Sequence, residues 1–303
     1  MLTLPELATQ RVERVLSQTD EEKARTIVLA GSKGVGKSTL INLLLEKTET
    51  ARATLVLEYS FGRKSNQKHE IEKNICHTWE YGGKLEELKN ILPSIPIKGA
   101  FYFCIMVDLT KIKRIWEIIE ICLEAIQHFE IKPEIFIIGG NYDVFKNYDN
   151  EIKKFICNTL RSIALIHNAH VMFYSSKDTI LAKRAKEVLQ SMGFGYEVVF
   201  KEKNTSFMKP LVIPRGLDSW ENIGIAPSTV EQVKARHLSR IPPEPVVSDS
   251  SNDNLTKQGF QAHPETSLDK IVALKYENMR NIESLDISLN VIQKPLMIIF
   301  GVL

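Results

Sequence analysis

The sequence predicts an α/β fold in which helices cover both faces of a mostly parallel, six-stranded sheet. From residue 26 onward, short apolar runs alternate with longer segments of helical periodicity, which is typical of strands joined by crossover helices. The run at residues 100–109 (AFYFCIMVDL) is uninterrupted, as in strands that are buried on both faces. A glycine-rich loop between the first strand and the first helix completes this pattern.

Each element follows from its periodicity and length. The strands are predicted at residues 26–30, 54–58, 75–80, 100–109, 134–139 and 169–175, and a polar loop separates the second from the third. The helices are predicted at residues 37–46, 112–129, 149–167 and 179–192.

The predicted organisation has five parts. Residues 1–25 form an N-terminal helical extension, and residues 26–195 form the α/β domain. Residues 196–239 form an extended strap packed on that domain, because two prolines interrupt the apolar segment 206–220. Residues 240–267 are rich in Pro, Ser, Asn and Asp, which predicts a disordered linker. Residues 268–303 form a C-terminal segment of uncertain structure.

The composition excludes several classes of protein. The chain has 303 residues, and its 39 basic and 37 acidic side chains leave a net charge of +2, too small to attract nucleic acid or anionic lipid. The four cysteines contain no CxxC pair, which disfavours a zinc or redox site. No apolar run approaches the roughly 20 residues of a membrane span, and the N-terminal residues do not suit a secretory signal. We therefore expect a cytosolic protein without nucleic-acid partners or membrane insertion.

The strongest motif is GSKGVGKS at residues 31–38, a complete GxxxxGK[ST] pattern between a predicted strand and a predicted helix. Glycines let backbone N–H groups turn inward around a phosphate, and the positive end of the following helix adds to the attraction. In this pattern Lys37 reaches the β- and γ-phosphates, and the Ser38 hydroxyl holds Mg²⁺. The motif predicts a P-loop NTPase domain whose nucleotide-binding residues are Gly31, Ser32, Lys33, Gly34, Val35, Gly36, Lys37, Ser38 and Thr39.

Two further segments lie where a GTPase contacts the γ-phosphate. Thr54 is a candidate for the switch threonine and for a second Mg²⁺ ligand. The third strand ends in EYGG at residues 80–83 rather than DxxG, so Gly83 keeps the N–H that would contact a γ-phosphate. Glutamate is one methylene longer than aspartate, and we expect Glu80 to displace the groups that support the metal. Lys84 stands where a catalytic GTPase often has the glutamine that orients water.

The base-binding motif is incomplete. The NKxD pattern appears as GNYD at residues 140–143, in which only Asp143 remains to accept the two guanine nitrogens. The SSK sequence at residues 175–177 matches the SAK loop and adds Ser176 and Lys177 to the predicted nucleotide site. The phosphate-binding groups are therefore complete, whereas the base-binding groups are partial and the hydrolytic groups are degraded.

These motifs support two hypotheses. The first is a pseudo-GTPase that keeps its P-loop, hydrolyses slowly or not at all, and either binds GTP, GDP, ATP or ADP with Mg²⁺ or stays empty. The alternative is an active small GTPase-like or P-loop NTP hydrolase, which the intact loop supports. Turnover that disappears in a Lys37→Ala variant would favour the second hypothesis.

Several motifs within residues 26–225 together resemble the dynein light intermediate chain family, in particular the light intermediate chains of cytoplasmic dynein 2. In order, these motifs are GSKGVGKS (31–38), TLVLEYSFGR (54–63), HTWEYGG (77–83), IGGNYDVF (138–145), YSSK (174–177) and PLVIPRGLDSW (210–220). Their order and spacing make the resemblance more specific than a P-loop alone. It is weak over residues 240–267, and the apolar last nine residues depart from that family's polar, charged C-terminus.

The resemblance implies a non-catalytic subunit with a Ras-like fold. Such a subunit would bind and stabilise the dynein 2 heavy chain, together with the other dynein 2 subunits, for retrograde intraflagellar transport. It would associate indirectly with microtubules and intraflagellar transport particles, in the cytoplasm, the cytoskeleton and the cilium, including the axoneme and the basal body. A bound nucleotide would act there as a structural plug that stabilises the fold without turnover.

The predicted helix at residues 112–129 has an unusually wide apolar surface. Its apolar side chains span an arc of roughly 220°, more than a half-buried surface helix needs. Two interpretations are open. Either the helix is wedged between the sheet and a neighbouring element, or Ile118, Ile121 and Phe129 face a partner chain.

Overall fold

The structure is a computed structural model that describes residues 24–66, 69–127, 129, 131–195, 200 and 202–243, with single positions at 9, 271 and 274. The chain divides into two compact units, Met1–Glu244 and Pro245–Leu303, and the strands and helices named below belong to the first. The predicted N-terminal extension, linker and C-terminal segment lie almost wholly outside the described residues. Within the described part of the chain, no helix has the length and apolar character to cross a membrane.

A mostly parallel sheet of seven strands forms the centre of the domain and confirms the predicted α/β class. The strands are β1 (Ala24–Gly31), β2 (Leu57–Asn66), β3 (His69–Tyr81), β4 (Ala100–Asp108), β5 (Glu134–Gly140), β6 (His170–Phe173) and β7 (Val212–Ile213). Their spatial order is β2-β3-β1-β4-β5-β6-β7. The edge pairs β2/β3 and β6/β7 are antiparallel, and every pair between them is parallel.

The sheet differs from the six-strand prediction at both edges. At one edge the strap contributes β7, a two-residue strand that is too short for a periodicity argument to detect. At the other edge β2 begins at Leu57 and not at residue 54, because residues 54–56 turn against Gly82, whose N–H donates to the Val56 carbonyl at 2.8 Å. Both strands of this hairpin extend into the predicted polar loop, so most of that loop is β structure.

Eight α-helices lie in the described residues. They are α1 (Lys37–Leu44), α2 (Leu88–Ile91), α3 (Ile115–Gln127), α4 (Tyr142–Phe145), α5 (Asn150–Ile166), α6 (Thr179–Phe194), α7 (Trp220–Ile223) and α8 (Val230–Arg240). The four predicted helices are confirmed as α1, α3, α5 and α6, with ends within three residues of the prediction. The carboxylates of Asp149 and Asp178 accept backbone N–H groups and define the starts of α5 and α6.

Each face of the sheet carries its own apolar core. Helices α1 and α6 pack on one face with Ile27 and Leu29, whereas α2, α3 and α5 pack on the other with Val28 and Ala30. The alternation follows from the strand geometry, in which successive side chains point to opposite faces. The loops that leave the carboxyl ends of the parallel strands meet at one edge of the sheet, where ligands bind in folds of this kind.

Residues 206–219 contain turns and the short strand β7 but no helix, whereas the prediction of an extended strap throughout residues 196–239 is wrong. It ends in α7 and α8. The Thr229 side chain accepts the Gln232 N–H and the Gln232 side chain accepts the Thr229 N–H, which together cap the start of α8. This capping box is visible in the sequence as TVEQ and identifies the helix that the composition argument missed.

Helix α8 covers part of the apolar surface of α3. The rings of Trp116 on α3 and His237 on α8 lie 5.9 Å apart, and Lys234 pairs with Glu120. Val233 is buried at the same contact. The wide apolar arc of α3 is therefore explained by the sheet on one side and α8 on another.

This packing corrects the predicted partner surface on α3. Ile118 is only 3% exposed and belongs to the core, so the interpretation that it faces a partner chain is wrong. Ile121 is half-buried, and Phe129 packs on the core with its ring 5.5 Å from that of Phe101. The interpretation of a helix wedged between elements of its own domain accounts for these residues.

Candidate nucleotide-binding site

The predicted phosphate loop joins β1 to α1. Gly31, Gly34 and Gly36 have φ values of +130°, +76° and +98°, which glycine adopts readily and other residues rarely do. Gly36 immediately precedes the first residue of α1, so the loop ends at the N-terminus of that helix. This backbone course is the one that the GxxxxGK[ST] spacing predicts.

The start of the loop is anchored to β4. A Cβ at Gly31 would lie 2.0 Å from the Met106 carbonyl oxygen, so only glycine fits there. The Ser32 N–H donates to the same oxygen at 2.8 Å, and the Ser32 hydroxyl accepts the Asp108 N–H at 2.9 Å. Ser32 thus holds the loop in place, whereas Lys33 and Gly34 are exposed at its tip.

Lys37 is buried beneath the loop. Its Nζ donates to the carbonyl oxygens of Ser32 at 2.8 Å and of Gly31 at 3.3 Å. Burial lowers the pKa of Lys37, and the negative charge of Glu80 opposes that shift. The ammonium is therefore held inside the loop, where the motif predicts a phosphate contact.

The carboxylate of Glu80 lies beside the phosphate loop. Its extra methylene does not carry the carboxylate away from the loop, because the Ser38 hydroxyl donates to Glu80 Oε1 at 2.8 Å. The Thr54 hydroxyl donates to Glu58 Oε2 at 2.9 Å. Burial raises the pKa of Glu80, and the nearby hydroxyls of Ser38 and Thr54 and the charge of Lys37 oppose the rise.

Residues 82–83, which follow β3, are hydrogen-bonded to the segment that precedes β2. The N–H groups of Gly82 and Gly83 both point to the Val56 carbonyl, at 2.8 and 3.3 Å. A Cβ at Gly82 would lie 2.0 Å from the Thr54 carbonyl oxygen. The Gly83 N–H predicted to contact a γ-phosphate is thus engaged within the protein, and Lys84 beyond it is exposed.

Of the residues predicted to bind the base, the structure brings Asp143 and Lys177 together, and Ser175 joins them in place of Ser176. The Ser175 hydroxyl donates to Asp143 Oδ1 at 2.7 Å, and Lys177 Nζ lies 3.1 Å from Asp143 Oδ2. These interactions, led by the bond from Ser175, lower the pKa of Asp143 and keep its carboxylate charged. Ser176 is exposed beside them.

Two residues replace the lost asparagine and lysine of the base motif. Gly140 lets the Val35 side chain of the phosphate loop pack against it, since a Cβ there would lie 2.4 Å from Val35 Cγ2. Asn141 adopts a left-handed φ of +58°, and its side-chain amide donates to Asp108 Oδ1 at 2.9 Å. Asp108 also accepts the N–H and hydroxyl of Thr110, so it caps the turn before α3. The sequence did not reveal these contacts because they join residues that are far apart along the chain.

Tyr174 begins the YSSK motif, but the sequence did not indicate a role for it in the candidate site. Its ring lies against Gly36, and its hydroxyl is buried without a hydrogen-bond partner among the described residues. Burial raises the pKa of Tyr174 to about 12, so the hydroxyl remains a donor. Its neighbours Thr39 and Ser176 line the same surface. A buried donor without a partner beside the phosphate loop suits a polar ligand.

The residues present fit a polyphosphate and a magnesium ion. The loop backbone and Lys37 supply the donors for phosphate, and Tyr174 adds a donor beside them. The Ser38 hydroxyl gives its hydrogen to Glu80, so the lone pairs of its oxygen remain for a cation. Oxygen atoms of this kind are the ligands that Mg²⁺ prefers. Among the described residues, the loop included, no group of three or more His, Cys, Asp or Glu side chains is placed to hold a metal without other ligands.

This fold and this loop define a Ras-like P-loop α/β domain. Curated proteins named cytoplasmic dynein 2 light intermediate chain 1 are 31% identical to the chain. The protein from Danio rerio aligns over 78% of this chain and 78% of its own length, that from Homo sapiens over 78% and 79%, and that from Mus musculus over 74% and 76%. The chain therefore belongs to the cytoplasmic dynein 2 light intermediate chain family, which confirms the resemblance carried by its motifs.

Two further comparisons complete the description. No protein-family model matches the chain. The crystal structure of the dynein light intermediate chain's conserved domain aligns with a TM-score of 0.49 and 10% sequence identity, over 73% of this chain and 92% of that one.

Proposed function

We propose that this protein is a non-catalytic subunit of cytoplasmic dynein 2 that binds and stabilises the dynein 2 heavy chain for retrograde intraflagellar transport. The observation that carries the proposal is the 31% identity to dynein 2 light intermediate chains over about four fifths of both chains. Its place of action is then the cytoplasm and the cilium, where it reaches microtubules and transport particles through the rest of the motor.

An exposed aromatic surface supports a binding role. On the edge strand β2, Tyr59 and Phe61 are 43% and 51% exposed, and their rings lie 6.2 Å apart. The neighbouring strand β3 adds His77, whose Nδ1 bonds the Tyr59 hydroxyl, and Trp79, whose ring is 4.7 Å from that of Tyr59. Clustered exposed aromatic side chains mark interaction surfaces. We propose that this aromatic surface contacts the heavy chain.

The phosphate loop has a structural role in this proposal. A nucleotide that binds the folded domain and not the unfolded chain stabilises the fold by mass action, without any turnover. The buried ammonium of Lys37 and the buried hydroxyl of Tyr174 are polar groups that such a ligand would satisfy. The nucleotide would thus support the scaffold that presents the aromatic surface.

The alternative function is nucleotide hydrolysis, and the intact contact between Ser38 and Glu80 favours it. The exposed Lys84 argues against it, because an ammonium group can only donate hydrogen bonds and cannot accept a proton from water. A turnover assay with GTP and ATP decides between the two. Multiple turnovers by the wild-type protein that are lost in Lys37→Ala would replace the scaffold proposal.

The heavy-chain surface is tested by co-purification. We expect the wild-type chain to recover the dynein 2 heavy chain, and a Tyr59→Ala/Phe61→Ala variant to lose at least about tenfold in recovery, as for aromatic anchors at other interfaces. Met208→Ala is the matched control, because Met208 is also exposed but lies on the strap. Full recovery by a folded double variant would exclude the aromatic surface, and absence of the heavy chain from the wild-type sample would exclude the function.

A further inference from the structure

Glu58 and Glu80 stand directly opposite each other on the β2/β3 hairpin. The antiparallel register pairs Glu58 with Glu80, and the parallel register pairs Glu80 with Leu29 of β1. Directly opposed residues on adjacent strands have side chains on the same face, with Cβ atoms about 5 Å apart. That face carries α1, and Ser38, Glu58 and Glu80 line one cavity of about 280 Å³.

Two hydroxyl groups bind these carboxylates. Ser38 donates to Glu80 and Thr54 donates to Glu58, at 2.8 and 2.9 Å. Each hydroxyl therefore gives its only hydrogen to a carboxylate, and its oxygen lone pairs stay available. Four oxygen-bearing side chains thus meet beside the phosphate loop.

Neither carboxylate has a salt bridge among the described residues, although Lys47 and Arg52 also line the cavity. Like charges directly opposed across two strands destabilise the pairing unless positive charge lies near them. Lys37 supplies part of that charge to Glu80, but its ammonium donates to the carbonyls of Gly31 and Ser32 and not to either carboxylate. A hard divalent cation, which takes oxygen ligands, would satisfy both carboxylates.

Contacts with Gly82 hold the segment that contains Thr54. Its backbone packs against Gly82, and the Gly82 N–H donates to the Val56 carbonyl, so the segment is held by contacts within the protein. Glu58, four residues later, holds the Thr54 hydroxyl. Contacts within the protein therefore hold these oxygen atoms beside the loop.

We propose that Glu58 is a further residue of the cation site, where it acts with Glu80 to hold a divalent cation beside Ser38 and Thr54 when a nucleoside diphosphate is bound. The proposal rests on the nucleotide binding proposed above. It assigns to Glu58 a role that no motif in the sequence indicates. The protein would then supply the same oxygen ligands to the cation with a nucleoside diphosphate as with a triphosphate.

The test measures how Mg²⁺ changes nucleotide affinity. A fluorescent GDP analogue is titrated into the wild-type protein with Mg²⁺ or with EDTA, and the same titration is repeated with Glu58→Gln. We expect Mg²⁺ to tighten wild-type binding by at least about tenfold, which corresponds to about 1.4 kcal/mol, and Glu58→Gln to lose most of that gain with little change in EDTA. Mn²⁺ binding in the presence of GDP, followed by electron paramagnetic resonance, should weaken in parallel.

The matched control is Glu49→Gln, because Glu49 lines the same cavity but makes no bond to Ser38 or Thr54 through its carboxylate. We expect it to keep the full Mg²⁺ effect, and thermal unfolding confirms that both variants fold. A Mg²⁺ effect that survives in Glu58→Gln, or is missing from the wild-type protein, overturns the proposal. So does failure of the wild-type protein to bind either the GDP or the corresponding ADP analogue. Heavy-chain recovery is unaffected by these outcomes and tests the proposed function separately.

Discussion

At the scale of single residues, two glycines of the phosphate loop have different roles. Both Gly31 and Gly34 have positive φ values, but their surroundings differ. Gly31 is pressed against the Met106 carbonyl, whereas a Cβ at Gly34 would have no heavy atom within 4 Å. Gly31 therefore holds the loop against β4, and Gly34 provides only the backbone turn.

This difference predicts unequal costs for the same substitution. Gly31→Ala places a methyl group into a backbone carbonyl and should lower the free energy of unfolding by about 3 kcal/mol or more. Gly34→Ala introduces no close contact, and only its left-handed backbone conformation is unfavourable. It should lower the free energy of unfolding by about 1 kcal/mol. Urea unfolding of both variants measures these values. Equal destabilisation would show that the contact with Met106 does not matter.

At the scale of elements, two interactions fix the strap to the domain. Arg161 of α5 donates through two nitrogens to Asp218 of the strap, at 2.7 and 2.8 Å, and both side chains are 5% exposed. Arg161 also donates to the Thr205 carbonyl at 3.3 Å. Further along, α8 inserts His237 between the rings of Trp116 and Phe155. The strap is therefore an integral layer of the fold.

Removal of the Asp218 carboxylate should break the ion pair between Arg161 and the strap. Asp218→Ala leaves the Arg161 guanidinium buried without its carboxylate, and we expect a loss of about 3–5 kcal/mol in the free energy of unfolding. Arg114→Ala is the control, because its pair with Glu117 is about half exposed and should contribute less than about 1 kcal/mol. Thermal and urea unfolding compare the two. Similar small losses for both would contradict a structural role of the buried pair.

His237 predicts how stability depends on pH. Burial lowers the pKa of His237 from 6.5 to about 4, and neither ring nitrogen has a hydrogen-bond partner in the described residues. The unfolded chain thus binds a proton below pH 6.5 that the folded domain binds only below about pH 4. The neutral ring of His237 makes its full contribution to the free energy of unfolding above pH 6.5. That free energy falls as the pH drops below 6.5, by up to about 1.4 kcal/mol per pH unit.

The variant His237→Phe isolates this effect. A phenyl ring fills the same aromatic stack and loses no hydrogen bond, so the variant should fold. Unfolding measured at steps from neutral pH down to about pH 4 should show a shallower loss of stability than in the wild-type protein. Identical pH profiles for both proteins would mean that the ring of His237 is not held neutral by its burial.

At the scale of the whole molecule, the helix that follows the phosphate loop and the aromatic surface lie on opposite faces of the sheet. Lys37 begins α1 on one face, whereas Tyr59 and Phe61 project from the other, beside the core that contains Trp79. The sheet thus separates that helix from the aromatic surface. Loss of one site leaves the other intact as long as the domain folds.

We expect Lys37→Ala to weaken nucleotide binding and leave recovery of the heavy chain largely unchanged. The substitution removes the buried ammonium and leaves the Gly31 and Ser32 carbonyls without that donor, a cost of about 1–3 kcal/mol in stability. Lys33→Ala is the control in the same loop, because Lys33 is exposed. Co-purification and nucleotide binding are measured on the same preparations. Loss of the heavy chain from a folded Lys37→Ala protein would contradict the separation of the two sites.

The sequence by itself determined the α/β class, the position of the phosphate loop and the family, because these depend on local spacing and periodicity. The loop at residues 31–38 and the base loop around Asp143 lie where their motifs predict. The sequence could also have revealed α8 through its capping box.

Only the tertiary structure decided which distant residues meet. The pairing of Glu58 with Glu80 depends on the register of a hairpin, and the burial of Ile118 depends on the packing of α3 within its domain. Likewise, the reach of Glu80 to Ser38 depends on where β3 ends relative to α1. Such contacts join segments that lie tens of residues apart, so local periodicity carries no information about them.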